Sequence, residues 1–178
     1  MLKISTSDVI NAPVDEVFRI ARDQLMDLVP YFPNISRIEV KEKTSPKEGT
    51  LNFVNHWHAK VDVPSVAKKF ITPELLSWKD IASWDEPSKV VTYRLESFIA
   101  NDLFKSQGRN TFVAEGSGKT RLTVSCEVEI YPEKVPGVPR LLASTVKPAI
   151  EEIIRKMLEP NLTSLAKGLN AHFAKQSK

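Results

Sequence analysis

Apolar positions along this chain recur first at every second residue, then at every third or fourth, then at every second again, and finally on a long helical stripe. Residues 3–10 read as extended. Asn11-Ala12-Pro13 then predicts a helix start, with proline near the first turn, where its missing N–H costs least. Val14, Val17, Phe18 and Ala21 follow at helical spacing and form one apolar face. A second short helix is predicted from Leu25 to Val29, stopped by Pro30, and Tyr31-Phe32-Pro33-Asn34 is expected to be a loop whose two aromatic rings would serve as a lid.

From Ile35 to Tyr131 the period is mostly two, broken by turn sequences at 45–49 (SPKEG) and 114–120 (AEGSGKT), which predicts several antiparallel strands. In 51–63 one face carries Leu51, Phe53, Asn55, Trp57, Ala59, Val61 and Val63, and the other carries His56, His58, Lys60 and Asp62. Val91, Tyr93, Leu95 and Ile99 share the apolar face of 90–99, as do Phe104, Ser106, Gly108, Asn110 and Phe112 in 104–114. Residues 121–131 alternate most cleanly, with Leu122, Val124, Cys126, Val128 and Ile130 on one side. Around 77–84 the pattern is ambiguous: Asp80 either faces inward beside Trp78 or sits in a turn, and the turn is the expectation. A sheet with one apolar face must be covered, and residues 146–174 supply the cover. Ile150, Ile153, Ile154, Met157, Leu158, Leu162, Leu165, Leu169 and Phe173 lie along one helical stripe, with a kink expected at Pro160.

Composition narrows the function classes. A chain of 178 residues is long enough to bury a substantial core, and 42% hydrophobic with 26% charged residues is ordinary for a globular protein. The net charge of +3 is too small for a nucleic-acid footprint, so no nucleic-acid partner is expected. A single cysteine, Cys126, excludes an intramolecular disulfide and reads as an inert buried thiol. No apolar run approaches the roughly 20 residues that span a bilayer, and no export signal is visible. A cytoplasmic location is therefore expected, without stable membrane insertion, although transient membrane contact is compatible with the sequence.

The segments VINAPVDEVFRIARD, ELLSWKDIASWDEPSKVVTYRLES and NTFVAEGSGKTRLTVSCEVEIYP, together with the terminal helix, resemble the recurring pattern of the START-like (SRPBCC) superfamily. That group includes polyketide cyclases and dehydrases, lipid-transfer domains and the major pollen-allergen proteins. The resemblance covers nearly the whole chain and implies a single START-like domain over 1–178. Its fold class would be α+β, the helix-grip fold: a curved antiparallel β-sheet wrapped around a long C-terminal α-helix, with two short helices after the first strand. It also implies an apolar cavity between sheet and helix, in which the superfamily performs many functions.

Within that frame the candidate ligand-binding residues are Tyr31, Phe32, Phe53, Asn55, Trp57, Trp78, Tyr93, Phe104, Asn110, Phe112, Ile154, Met157 and Leu158. The aromatics either line the cavity or fill core, because both use the same residue types. Asn55 and Asn110 are sharper candidates. A buried amide needs a hydrogen-bond partner, whether a ligand's polar head, neighbouring backbone or a trapped water. His56 and His58, two apart on a strand, have metal-compatible spacing, but zinc wants a third protein ligand, and an exposed polar strand face is the expectation for them. No metal or cofactor is assigned. Two functions follow: binding or transport of a small hydrophobic ligand (lipid, fatty acid, sterol-like or polyketide-like), or a cyclase, dehydrase or hydrolase acting in the same cavity. Binding is favoured because the inward-facing set is rich in aromatics and almost free of titratable groups, so no catalytic residue is assigned. An inward-pointing acid or base with a perturbed pKa would favour the enzyme. Oligomeric state is left open.

Overall fold

The computed structural model describes residues 1–178 except 64, 66, 67, 69–71, 100, 101, 177 and 178. Strand β1 (Leu2–Ile10) leads into helix α1 (Val14–Asp23), where Pro13 precedes the first turn and Asp15 and Glu16 sit at the end that favours negative charge. A 3₁₀ segment, Leu25–Tyr31, follows and contains Pro30, so the proline does not end this element as its sequence suggested. The strands β2 (Ile35–Lys47), β3 (Thr50–Ala59), β4 (Ser77–Asp85), β5 (Val90–Ser97), β6 (Phe104–Ala114) and β7 (Thr120–Ile130) complete an antiparallel sheet of order β1-β7-β6-β5-β4-β3-β2. Helix α2, Ala143–Gln176, then packs across the sheet. This is an open, curved sheet gripping a long C-terminal helix.

Alternation decides which face is inward. Along β4 every second residue, Trp78, Asp80, Ala82 and Trp84, is buried, and β7 buries Leu122, Val124, Cys126, Val128 and Ile130. Phe18 of α1 locks against this face edge-on, with ring centroids 5.3 Å from both Trp84 and Phe112. Several strand limits differ from the sequence reading, and β2 runs to Lys47, through most of the turn expected at 45–49. The strand predicted to reach Val63 ends at Ala59, although Val61 and Val63 still pack against the core. Ile99 is exposed, because β5 ends at Ser97, whose hydroxyl accepts the Ile99 N–H at 3.2 Å and bends the chain away.

β5 and β6 pair residue to residue over Val90–Tyr93 and Gly108–Thr111. Beyond that ladder Ser106 Oγ accepts the Leu95 N–H at 2.6 Å and donates to the Leu95 carbonyl at 3.2 Å, a side chain standing where a backbone partner would be. At the last paired position the Tyr93 ring lies across Gly108, so that any Cβ there would overlap it.

Helix α2 runs further at both ends than the apolar stripe predicts, and it contains Pro148 and Pro160. Pro160 has no N–H to give the Lys156 carbonyl one turn earlier. Asn34 Nδ2 donates to that carbonyl instead, while the buried Asn161 accepts the Asn34 N–H and donates to the Met157 carbonyl. The helix thus continues through proline because side chains replace the missing bond. Asn170 fastens its far end by accepting the Asn11 N–H and donating to the Val9 carbonyl, both at 2.9 Å.

Candidate functional site

Two apolar cavities lie between the inner face of the sheet and α2. The first, about 60 Å³, is walled by Leu76, Leu103, Phe104, Ile130, Ile153, Ile154 and Met157. The second, about 90 Å³, is walled by Phe32, Trp57, Trp84, Tyr93, Asn110, Asp80 and Cys126, and on the α2 side by Asn161, Leu162 and Leu165. Trp78, Leu95 and Leu158 face both. Each is smaller than the roughly 300–1,000 Å³ of a typical ligand pocket, so a large guest requires α2 or its neighbours to yield.

The floor of the second cavity is aromatic because β3 and β4 run in register with their tryptophans opposed. Trp57 pairs with Trp78, the rings stack at 5.9 Å and 16°, and Phe32 tilts onto Trp57 at 5.7 Å. Two residues along the same strands, Asn55 opposes Asp80. Asn55 Nδ2 donates to the Asp80 carboxylate at 3.1 Å. The turn expected at Asp80 is therefore replaced by the middle of a strand, with the side chain facing inward and 9% exposed. Its short carboxylate, depleted from strands in general, is tolerated here because Asn55 meets it from the next strand.

Burial dominates the electrostatics. It pushes the Asp80 carboxyl up to about 6, while Asn55 and the Trp57 indole pull in the opposite direction. Trp57 Nε1 is nevertheless buried without a hydrogen-bond partner of good geometry among the described residues. Asn55 Oδ1 and Asn110 Oδ1 share that condition. Burial also raises the Tyr93 hydroxyl well above its ordinary value and the Cys126 thiol to about 11, so both are neutral at pH 7. Tyr93 donates to the Ser125 carbonyl at 3.2 Å. Asp80 is consequently the one group on this cavity's wall, among the described residues, whose charge changes near neutrality.

The structure brings Phe32, Trp57, Trp78, Tyr93, Asn110 and Leu158 to the second cavity, and Phe104, Ile154 and Met157 to the first. Asn55 stands behind Asp80 rather than on the cavity wall. Three candidates lie elsewhere. Phe112 is core against Phe18 and Trp84, Phe53 is buried under the Lys43 ammonium at 5.1 Å, and Tyr31 sits against Gly168 of α2 with Lys175 over its ring. The segment read as a lid is thus seated on α2 by Tyr31, while the buried Phe32 packs on Trp57. Asp80, Leu95, Trp84 and Asn161 are among the wall residues absent from the candidate set. For Asp80 the signal existed in the alternation Trp78, Asp80, Ala82, Trp84, and a polar residue in mid-pattern obscured it.

The two histidines point away from the cavity. His58 lies between Ser77 Oγ, 3.1 Å from Nδ1, and Glu39 Oε2, 3.2 Å from Nε2, so protein groups face both ring nitrogens. His56 stands edge-on to Phe98 at 4.6 Å. Among the described residues no three metal-ligating side chains cluster, and no helix is long and apolar enough to cross a membrane.

This sheet, helix and enclosed cavity define a ligand-binding helix-grip protein. The chain belongs to the family described as polyketide cyclase / dehydrase and lipid transport, whose model matches residues 1–169. Similar solved structures include the Zhui aromatase/cyclase from Streptomyces sp. R1128, at 16% identity and TM-score 0.64 over 94% of this chain and 93% of that one. TTHA0849 from Thermus thermophilus aligns at 17% identity and TM-score 0.61, covering 96% and 99%. Ginseng major latex-like protein 151 from Panax ginseng aligns at 16% and 0.54, covering 96% of each chain. At these identities the likeness is one of fold. No curated protein sequence matches the chain significantly.

Proposed function

We propose that the protein binds a small, largely apolar molecule of the lipid, fatty-acid, sterol-like or polyketide-like classes inside the sheet–helix cavity. The carrying observation is the composition of the second cavity: stacked Trp57 and Trp78, Phe32, Trp84 and leucines around only a few polar groups, chiefly Asp80, Asn110 and Tyr93. Burying the guest's apolar surface supplies affinity at ~25 cal/mol per Å², and the polar groups orient its head. The small cavity volume means that uptake displaces side chains or part of α2. Native mass spectrometry of freshly purified protein, with identification of released compounds, tests the reading, backed by titration with a neutral naphthalene probe. Trp57→Ala is expected to weaken the probe about tenfold or more. Unchanged affinity in both Trp57→Ala and Asn110→Leu would remove this cavity from the function.

A second reading is favoured by one specific observation, the inward Asp80 whose carboxyl is raised to about 6. A carboxyl so placed suits general acid–base catalysis of the cyclase or dehydrase type. Under this reading Asp80→Asn leaves a compound extracted from the protein bound but unconverted, whereas the wild type turns it over in a single-turnover assay.

A further inference from the structure

We propose that the guest of the second cavity is a compact organic amine, held as its ammonium by Asp80 and the aromatic rings beside it. This rests on the cavity-binding reading above and names the chemistry of the ligand.

Charge comes first. Asp80 is buried, and the groups that favour its ionised form are Asn55 and Trp57, neither of them a cation. The wall around it carries no lysine, arginine or histidine among the described residues. The titratable groups facing it are Tyr93 from β5 and Cys126 from β7, both neutral at pH 7. The rest of the wall is uncharged: α2 contributes Leu158, Asn161, Leu162 and Leu165, and α1 and the 3₁₀ segment contribute Ala21 and Leu25. A buried carboxylate without a countercharge is costly, and an ammonium supplies that countercharge. A fatty-acid carboxylate would place a second negative charge beside the first.

Hydrogen bonding points the same way. On the cavity wall Asn110 Oδ1 is a buried acceptor with no partner among the described residues, and Trp57 Nε1 is a buried donor in the same condition. The Asp80 carboxylate and Asn110 Oδ1 both accept, and a protonated amine is a donor only. Trp57, Trp78 and Tyr93 line the same space, and aromatic rings attract cations, tryptophan most strongly. At about 90 Å³ the cavity suits a compact guest.

The test compares 2-phenylethylamine, 2-phenylethanol and phenylacetate by calorimetry at pH 7.5, with the neutral naphthalene probe as a separate measure of the cavity. The amine is expected to bind at least about tenfold more tightly than the alcohol, and phenylacetate most weakly. That advantage should shrink as pH falls through 6, and it should vanish in Asp80→Asn. The wild-type pH series carries the test even if the variant folds poorly. An amine no tighter than the alcohol, or an advantage that survives both acid and Asp80→Asn, overturns the inference. If the naphthalene probe binds and the amine does not, the amine fails while the cavity reading stands; if neither binds, both fall.

Discussion

Asp80 couples a local choice of residue to the stability of the whole protein. A carboxyl raised from 3.8 to about 6 holds its proton more tightly folded than unfolded. Between those two pH values the unfolded chain releases the proton while the native state keeps it, so stability falls as pH rises through this window and is level above it. The difference amounts to about 3 kcal/mol, because one pKa unit is worth about 1.4 kcal/mol. Relative to Asp80→Asn, the wild type should therefore lose up to about 3 kcal/mol between pH 4 and 7 in urea unfolding. A difference that stays constant over this range would show that Asp80 titrates normally. A buried residue that lowers stability at neutral pH is the kind that binding or catalysis accounts for, which links this prediction to the amine and the acid–base readings.

At the scale of elements, the register of β5 against β6 matters most. Tyr93 opposes Gly108, and its ring occupies the space above that glycine before its hydroxyl reaches Ser125 on β7. The glycine is needed here for close approach rather than for its backbone freedom. Gly108→Ala should cost about 1–3 kcal/mol by forcing the ring off its seat. In a Tyr93→Ala background the same change should cost much less, since the overlapping ring is gone. Equal costs in the two backgrounds, from a double-mutant cycle of unfolding midpoints, would mean that the ring and the glycine are not coupled. The ring also walls the cavity, so the tolerance of one strand pairing bears on the shape of the site.

For the whole molecule, α2 is unevenly anchored. Its first turns, residues 143–149, are largely exposed, whereas Leu169 is fully buried and Asn170 ties the far end to β1 and the start of α1. Local opening is easiest where few apolar groups are buried. Hydrogen exchange should accordingly be faster in 143–149 than in 161–170, and ligand uptake should slow exchange near 158–165, where α2 walls the second cavity. Uniform protection along the helix would argue against access from its N-terminal half. Leu141, which is 93% exposed just ahead of α2, marks the same end as the less covered one.

Periodicity alone determined most of the architecture. Strict alternation in 121–131, the helical stripe from Ile150 to Phe173 and the turns at Gly49 and Gly116 were legible because each depends on local spacing and on which face must avoid water. The family resemblance was legible for the same reason, being carried by that order of elements. Boundaries were less so: Ile99 left the core through a single Ser97 hydroxyl. The helix through Pro160 was legible from its stripe, but the bond from Asn34, distant in sequence, to the Lys156 carbonyl was not. The site itself was decided by tertiary structure. Asp80 became a buried acid only because β3 brought Asn55 opposite it, and Phe112 became core only because Phe18 filled the space beside it. Spacing along a chain sets the face on which a side chain lies; the partners that face it across strands and helices set its charge, and they alone determine whether it borders a cavity or fills one.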